Sequence, residues 1–122
     1  MANKTVLVID DSLVVREQVR DTLRAASYDV LEAENGIEAL AHVKATPALS
    51  LVICDVNMPE MGGLELLAEL KNQGLMSFHV IMLTSEGRPE FLAKARTLGA
   101  KAWMMKPLVA EKLLAVVQKL TA

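Results

Sequence analysis

Val6-Leu7-Val8-Ile9-Asp10-Asp11-Ser12 sets four apolar residues against two adjacent carboxylates and a hydroxyl. A run of this length, rich in β-branched residues and closed by polar ones, suits a strand buried on both faces, the usual situation in a parallel sheet. Ser12 stands where a helix N-cap would, and Val15, Val19, Leu23 and Ala26 follow at helical spacing. A strand therefore feeds a helix through an acidic corner.

Working outward, the same pattern recurs. Leu51 to Cys54 and Val80 to Leu83 are equally strong strand runs, and Tyr28 to Ala33 and Ala102 to Met105 are weaker ones. Between and after them, Ile37, Leu40, Ala41 and Val43 predict a second helix, and Leu64, Leu67 and Leu70 a third that begins after Gly62-Gly63. Pro89 suits the first turn of a fourth helix that runs towards Leu98 and stops at Gly99, and Leu113, Val117 and Leu120 stripe a fifth. Strand and helix alternate five times. Such alternation predicts an α/β three-layer sandwich: one five-stranded parallel sheet with helices on both faces, joined by right-handed crossovers.

Composition narrows the function classes. A chain of 122 residues is the size of one domain, and its formal net charge of -2 offers no basic footprint for nucleic acid. The apolar runs are too short to span a membrane, and the start of the chain lacks the apolar segment of a secretory leader, so a cytoplasmic protein is expected. Cys54, the single cysteine, can form no internal disulfide and reads as a small buried hydrophobe. No linker interrupts the chain, which is expected to be one domain over residues 1–122 with no output domain attached.

In an open α/β sheet ligands bind outside the carboxyl ends of the strands. There the sequence places Asp10-Asp11, Asp55-Val56-Asn57, Thr84-Ser85 and Lys106-Pro107. Taken singly, each has a plainer explanation: an Asp after a strand can cap a helix or open a turn, and a Lys before Pro is commonly solvated. Together they are harder to dismiss, because clustered carboxylates repel one another unless a cation holds them. Oxygen ligands without His or Cys favour Mg2+, for which Asp10, Asp11, Asp55 and the backbone carbonyl of Asn57 are the candidates. A carboxylate can also attack phosphorus, and the charge that develops on the transferring group then calls for a positioned cation and a hydroxyl, for which Lys106 and Thr84 are available.

These motifs, together with Asn35-Gly36-Ile37-Glu38-Ala39-Leu40 and the run Asp55-Val56-Asn57-Met58-Pro59-Glu60-Met61-Gly62-Gly63, resemble the receiver domain of two-component response regulators, of the single-domain CheY-like kind. The likeness spans residues 4 to 120 by motif order. It implies the strand order 2-1-3-4-5 and a domain that signals without being an enzyme in the ordinary sense. Asp55 would accept a phosphoryl group from a phosphohistidine on a sensor histidine kinase, with Mg2+ beside it. Asp10 and Asp11 would bind the metal, Lys106 would pair with the phosphoryl group through a Lys-Pro corner with a cis bond, and Thr84 would move on activation. Output would leave through the face of the fourth helix, fifth strand and fifth helix to a downstream effector, in chemotaxis, motility or a phosphorelay, and a phosphatase is a further candidate partner.

In the family an aromatic residue three positions before the lysine couples to the threonine. Here that residue is Trp103, where a tyrosine or smaller ring is usual, so the switch is expected to differ in detail; the plainer reading is that Trp103 covers the sheet edge. Met104 or Met105 beside it would suit an adaptable partner surface, with at least one of them in the core. Asn57 and Glu86 occupy the positions where the family tunes loss of the phosphoryl group. His42, His79 and the helix charges Arg16, Glu17 and Arg20 read as ordinary surface, and Gly62-Gly63 as a turn. Rival readings are three. A phosphohydrolase of the haloacid dehalogenase type would want an acid at position 57, where Asn57 stands. A flavodoxin-like carrier would want a hydroxyl-rich loop where Asp10-Asp11 stands. A receiver-shaped interaction module would act without phosphorylation.

Overall fold

The computed structural model describes residues 3–122; Met1 and Ala2, part of the chain start on which the leaderless reading leans, lie outside them. Ten elements alternate: β1 (Thr5–Ile9), α1 (Leu13–Ala25), β2 (Asp29–Ala33), α2 (Gly36–Ala45), β3 (Leu49–Cys54), α3 (Gly63–Asn72), β4 (His79–Thr84), α4 (Pro89–Thr97), β5 (Ala102–Met105) and α5 (Ala110–Thr121). All five strands pair in parallel, in the order β2-β1-β3-β4-β5. This is the expected three-layer sandwich and the expected strand order.

Alternation along each strand divides the core into two layers. Leu7, Ile9, Val52, Cys54, Val80 and Met82 face α2, α3 and α4, where Val43, Leu64, Leu67 and Leu70 meet them. Val6, Val8, Leu51, Ile53, Ile81 and Leu83 face the other way onto Val19 and Leu23 of α1 and Leu113 and Val117 of α5. Both faces are covered, which is why the three central strands read as unbroken apolar runs.

The second helix forms where expected but turns differently. Its buried residues are Gly36, Ala39 and Val43, while Ile37 is 53% exposed and Ala41 also faces out. The cause is the close approach at its start. A side chain at Gly36 would stand 2.6–2.8 Å from Met61, whose carbonyl accepts the Gly36 N–H at 2.9 Å. Asn35 caps the same turn by accepting the Glu38 N–H. Small residues, not the large apolar ones, form the inward face there.

Candidate functional site

Sheet register builds the site. Ile9 and Cys54 are direct partners on β1 and β3, so Asp10 and Asp55 emerge side by side. Main-chain bonds hold that edge: the Asp55 N–H donates to the Ile9 carbonyl at 3.0 Å and the Asp10 N–H to the Ala33 carbonyl at 3.1 Å. Two strands away, the Lys106 N–H donates to the Thr84 carbonyl at 2.9 Å, fixing the start of the Lys106-Pro107 corner, whose peptide bond is cis as expected.

From there the Lys106 side chain reaches across the edge. Its Nζ lies 2.8 Å from Asp10 Oδ2 and 3.0 Å from Asp55 Oδ2. Asp55 Oδ1 accepts the backbone N–H of Val56 at 2.7 Å and, more loosely, that of Asn57 at 3.4 Å. Asp10 Oδ1 accepts the Ser12 N–H at 2.9 Å. Asp10 and Asp55 are buried, whereas Asp11 is exposed, yet one carboxylate oxygen from each of the three lies within 4.8 Å of the others.

Three carboxylates and one ammonium share this space, so negative charge is in excess. Burial raises the pKa of Asp10 above its ordinary value, against the hydrogen bond from Lys106 that works to lower it. Burial alone would lower the pKa of Lys106, but its bonds to Asp10 and Asp55 outweigh that and raise it, so the lysine stays charged. An all-oxygen cluster with excess charge, one side of it open to water at Asp11, fits a small divalent cation that keeps part of its hydration shell. Such a cation would relieve the repulsion that the single ammonium leaves unbalanced.

Each expected site residue has a place. Asp10, Asp11, Asp55 and Lys106 come together. Thr84 is fully buried at the end of β4, its hydroxyl accepting the Glu86 N–H at 3.1 Å. Asn57 is exposed, with its backbone beside Asp55. Trp103 packs partly buried against the α2–α4 layer, and its indole N–H points to Met105 Sδ at 3.4 Å. Met104 packs, partly buried, against the other layer and Met105 is 49% exposed, so one methionine flanks the core and one is surface.

The expectation that the α1 charges are ordinary surface is corrected for two of them. The Arg16 side chain is only 13% exposed; it donates to the Asp10 carbonyl at 2.7 Å and pairs with Glu32 at 3.2 Å. Arg20 reaches the same Glu32 at 3.4 Å. The signal that could have revealed them is position: Arg16 lies four residues after the Ser12 cap, on the turn that sits over the acidic corner. Gly62-Gly63 is likewise more than a turn. A side chain at Gly63 would stand 2.0 Å from the Asp55 carbonyl, so α3 can start this close to the site only with glycine.

A cavity of about 660 Å3 opens at the opposite edge of the sheet, among Lys71, Met76, Phe78 and Leu98; none of the carboxyl-edge residues lines it. A doubly wound parallel sheet with an acidic, lysine-bridged carboxyl edge defines a class of α/β domain in which the ends of separate strands meet at one charged site.

Comparison with known proteins takes the assignment further. Residues 6–118 match the family model of the response regulator receiver domain. The chain is 36% identical over 109 residues to the chemotaxis protein CheY1 of Helicobacter pylori, covering 88% of each. The structure of the Vibrio cholerae chemotaxis protein CheY4 superposes with a TM-score of 0.90 at 38% identity, covering 98% of this chain and 99% of that one. The crystal structure of the CheX-CheY-BeF3-Mg2+ complex from Borrelia burgdorferi matches with a TM-score of 0.89 at 26% identity, covering 98% and 90%. The chain belongs to the response regulator receiver domain family. Within it the chain is a CheY-type receiver of two-component signalling, a signalling domain and not an enzyme in the ordinary sense. Among the described residues no helix is long and apolar enough to cross a membrane.

Proposed function

We propose that Asp55 accepts a phosphoryl group from a phosphohistidine on a sensor histidine kinase, with Mg2+ held by Asp10, Asp11, Asp55 and the Asn57 carbonyl. The observation that carries this reading is the Lys106 ammonium bridging Asp55 and Asp10 at 3.0 and 2.8 Å. In the transfer a carboxylate oxygen of Asp55 forms the new P–O bond as the P–N bond of the donor breaks, and the imidazole nitrogen keeps the electron pair and takes up a proton. The bound metal would supply charge neutralisation for the phosphoryl oxygens. Lys106 holds a positive charge where that negative charge grows, and it is already drawn onto Asp55 before a donor arrives. Asp10 keeps Lys106 in place from the other side. Thr84 supplies a hydroxyl that accepts the Glu86 N–H and can donate its own proton to a phosphoryl oxygen, and Trp103 is the aromatic group set to respond.

Signal would then leave through α4, β5 and α5 to an effector protein, in a chemotaxis or motility pathway. The relatives named as chemotaxis proteins support the pathway, and the Borrelia relative, solved with a second protein, BeF3 and Mg2+, supports both a protein partner and the metal. The domain is proposed to act within a cytoplasmic circuit and without contacting nucleic acid; a phosphatase is a further proposed partner.

Intact mass after incubation with Mg2+ and acetyl phosphate tests the reading. One phosphoryl adduct is expected, absent without Mg2+ and absent in Asp55→Ala. No adduct from acetyl phosphate or from a phosphorylated kinase would leave an interaction module that works unphosphorylated.

A further inference from the structure

Resting on the metal reading above, we propose that Arg16 is a positioning residue for the cation site, holding the peptide that joins Asp10 to Asp11. Every polar group of Asp10 is engaged: its N–H by Ala33, Oδ1 by the Ser12 N–H, Oδ2 by Lys106, and its carbonyl by Arg16 Nη1 at 2.7 Å. Asp11 differs. It is exposed, and among the described residues its side chain enters no hydrogen bond or ion pair, so its direction depends on the backbone that carries it. That backbone begins at the Asp10 carbonyl.

Arg16 is itself held from outside. Its Nε pairs with Glu32 Oε1 at 3.2 Å, and Glu32 Oε2 takes Arg20 at 3.4 Å, so the guanidinium is fixed against β2. Glu32 is the register partner of Val8, two residues before Asp10. The planar fork of arginine lets one group serve a carboxylate and a carbonyl together, which lysine cannot reproduce. Groups that orient metal ligands from behind in this way commonly change metal affinity by 10- to 100-fold when removed.

The sign of the effect separates positioning from electrostatics. Removing a nearby cation should by charge alone tighten binding of Mg2+, whereas losing the brace should weaken it. Calorimetric titration with MgCl2, well below the melting temperature, is expected to give roughly tenfold weaker binding for Arg16→Gln. Arg16→Lys, which keeps the charge and loses the fork, should also be weaker than wild type. Melting in chelator, measured alongside, reports any loss of stability separately from affinity. Unchanged or tighter Mg2+ binding by folded Arg16→Gln and Arg16→Lys overturns the proposal. Absence of Mg2+ binding by the wild type would instead overturn the metal reading, and the positioning role with it.

Discussion

Two ion clusters at the carboxyl edge have nearly the same bond lengths and little else in common. Lys106 lies 2.8 Å from Asp10 and 3.0 Å from Asp55; Arg88 lies 2.8 and 3.0 Å from the two oxygens of Glu86. The first joins the ends of three strands, with Lys106 and Asp55 51 residues apart in the chain. The second is local, two residues apart on the loop before α4, with the Arg88 side chain 62% exposed. In the first, two nearly buried carboxylates share one ammonium; in the second a single carboxylate, its side chain 12% exposed, is neutralised by one guanidinium that lies open to water. Distance therefore says little about what an ion pair does. Burial and the count of charges decide whether it braces the fold, stores repulsion or does neither.

Breaking the buried cluster should give the largest effect. Lys106→Met leaves Asp10 and Asp55 facing each other without a cation, and removing one partner of a buried ion pair costs about 3 kcal/mol. Urea unfolding in chelator at neutral pH measures it. In the variant Asp10, whose pKa burial already raises above its unfolded value, loses the lysine bond that works to lower it and should rise further. Stability is then present below the unfolded pKa and lost as pH rises through the folded one, so the deficit should shrink on acidification. Added Mg2+ should restore part of it. A midpoint equal to that of wild type at neutral pH would mean water already serves the carboxylates and the cluster is no more coupled than the surface pair.

Removing a carboxylate from the same cluster should act in the opposite direction. Burial raises the Asp10 pKa, so its ionised form is a cost to the metal-free fold at neutral pH, one that vanishes below the unfolded value. Asp10→Asn leaves Lys106 paired with Asp55 alone. The expected result is a melting temperature a few degrees higher than wild type in chelator at pH 7, converging below about pH 4. Stabilisation by Mg2+ should be lost at the same time. A variant less stable than wild type in chelator would show that the bonds of Asp10 to Lys106 and Ser12 outweigh its desolvation.

The contrast also explains what could be read from sequence. Val6 to Ile9, Leu51 to Cys54 and Val80 to Leu83 announce themselves because a strand covered on both faces needs no polar residue, and topology then sends Asp10, Asp55, Thr84 and Lys106 to one edge. The inward face of α2 was not legible, because Gly36 and Ala39 face inward for lack of bulk while Ile37 faces water. Arg16 was not legible for a related reason. A charged residue on a helix is solvated by default, and only β2, brought alongside β1 by the fold, supplies the Glu32 that holds it. Gly63 needed the path of the Asp55 loop before its closeness could be known.

The surface pair should yield the smallest change and so sharpens the comparison most. Arg88 lies over the Phe91 ring at 4.4 Å as well as against Glu86, so Arg88→Ala removes both contacts from the start of α4. Exposed pairs are screened by salt and lose side-chain entropy on forming, and the expected drop in melting temperature is at most about 2 °C, equal with and without Mg2+. The hydrogen bond from Arg88 lowers the Glu86 pKa. A lowered carboxyl pKa contributes stability above the unfolded value that is lost as pH falls through the folded one, so wild type and variant should converge in acid and in high salt. Melts at neutral and acidic pH, each at low and high salt, check both directions. A drop as large as that of Lys106→Met, persisting in salt, would mean that the loop before α4 is braced as firmly as the strand ends, and bond length would then have been the better guide after all.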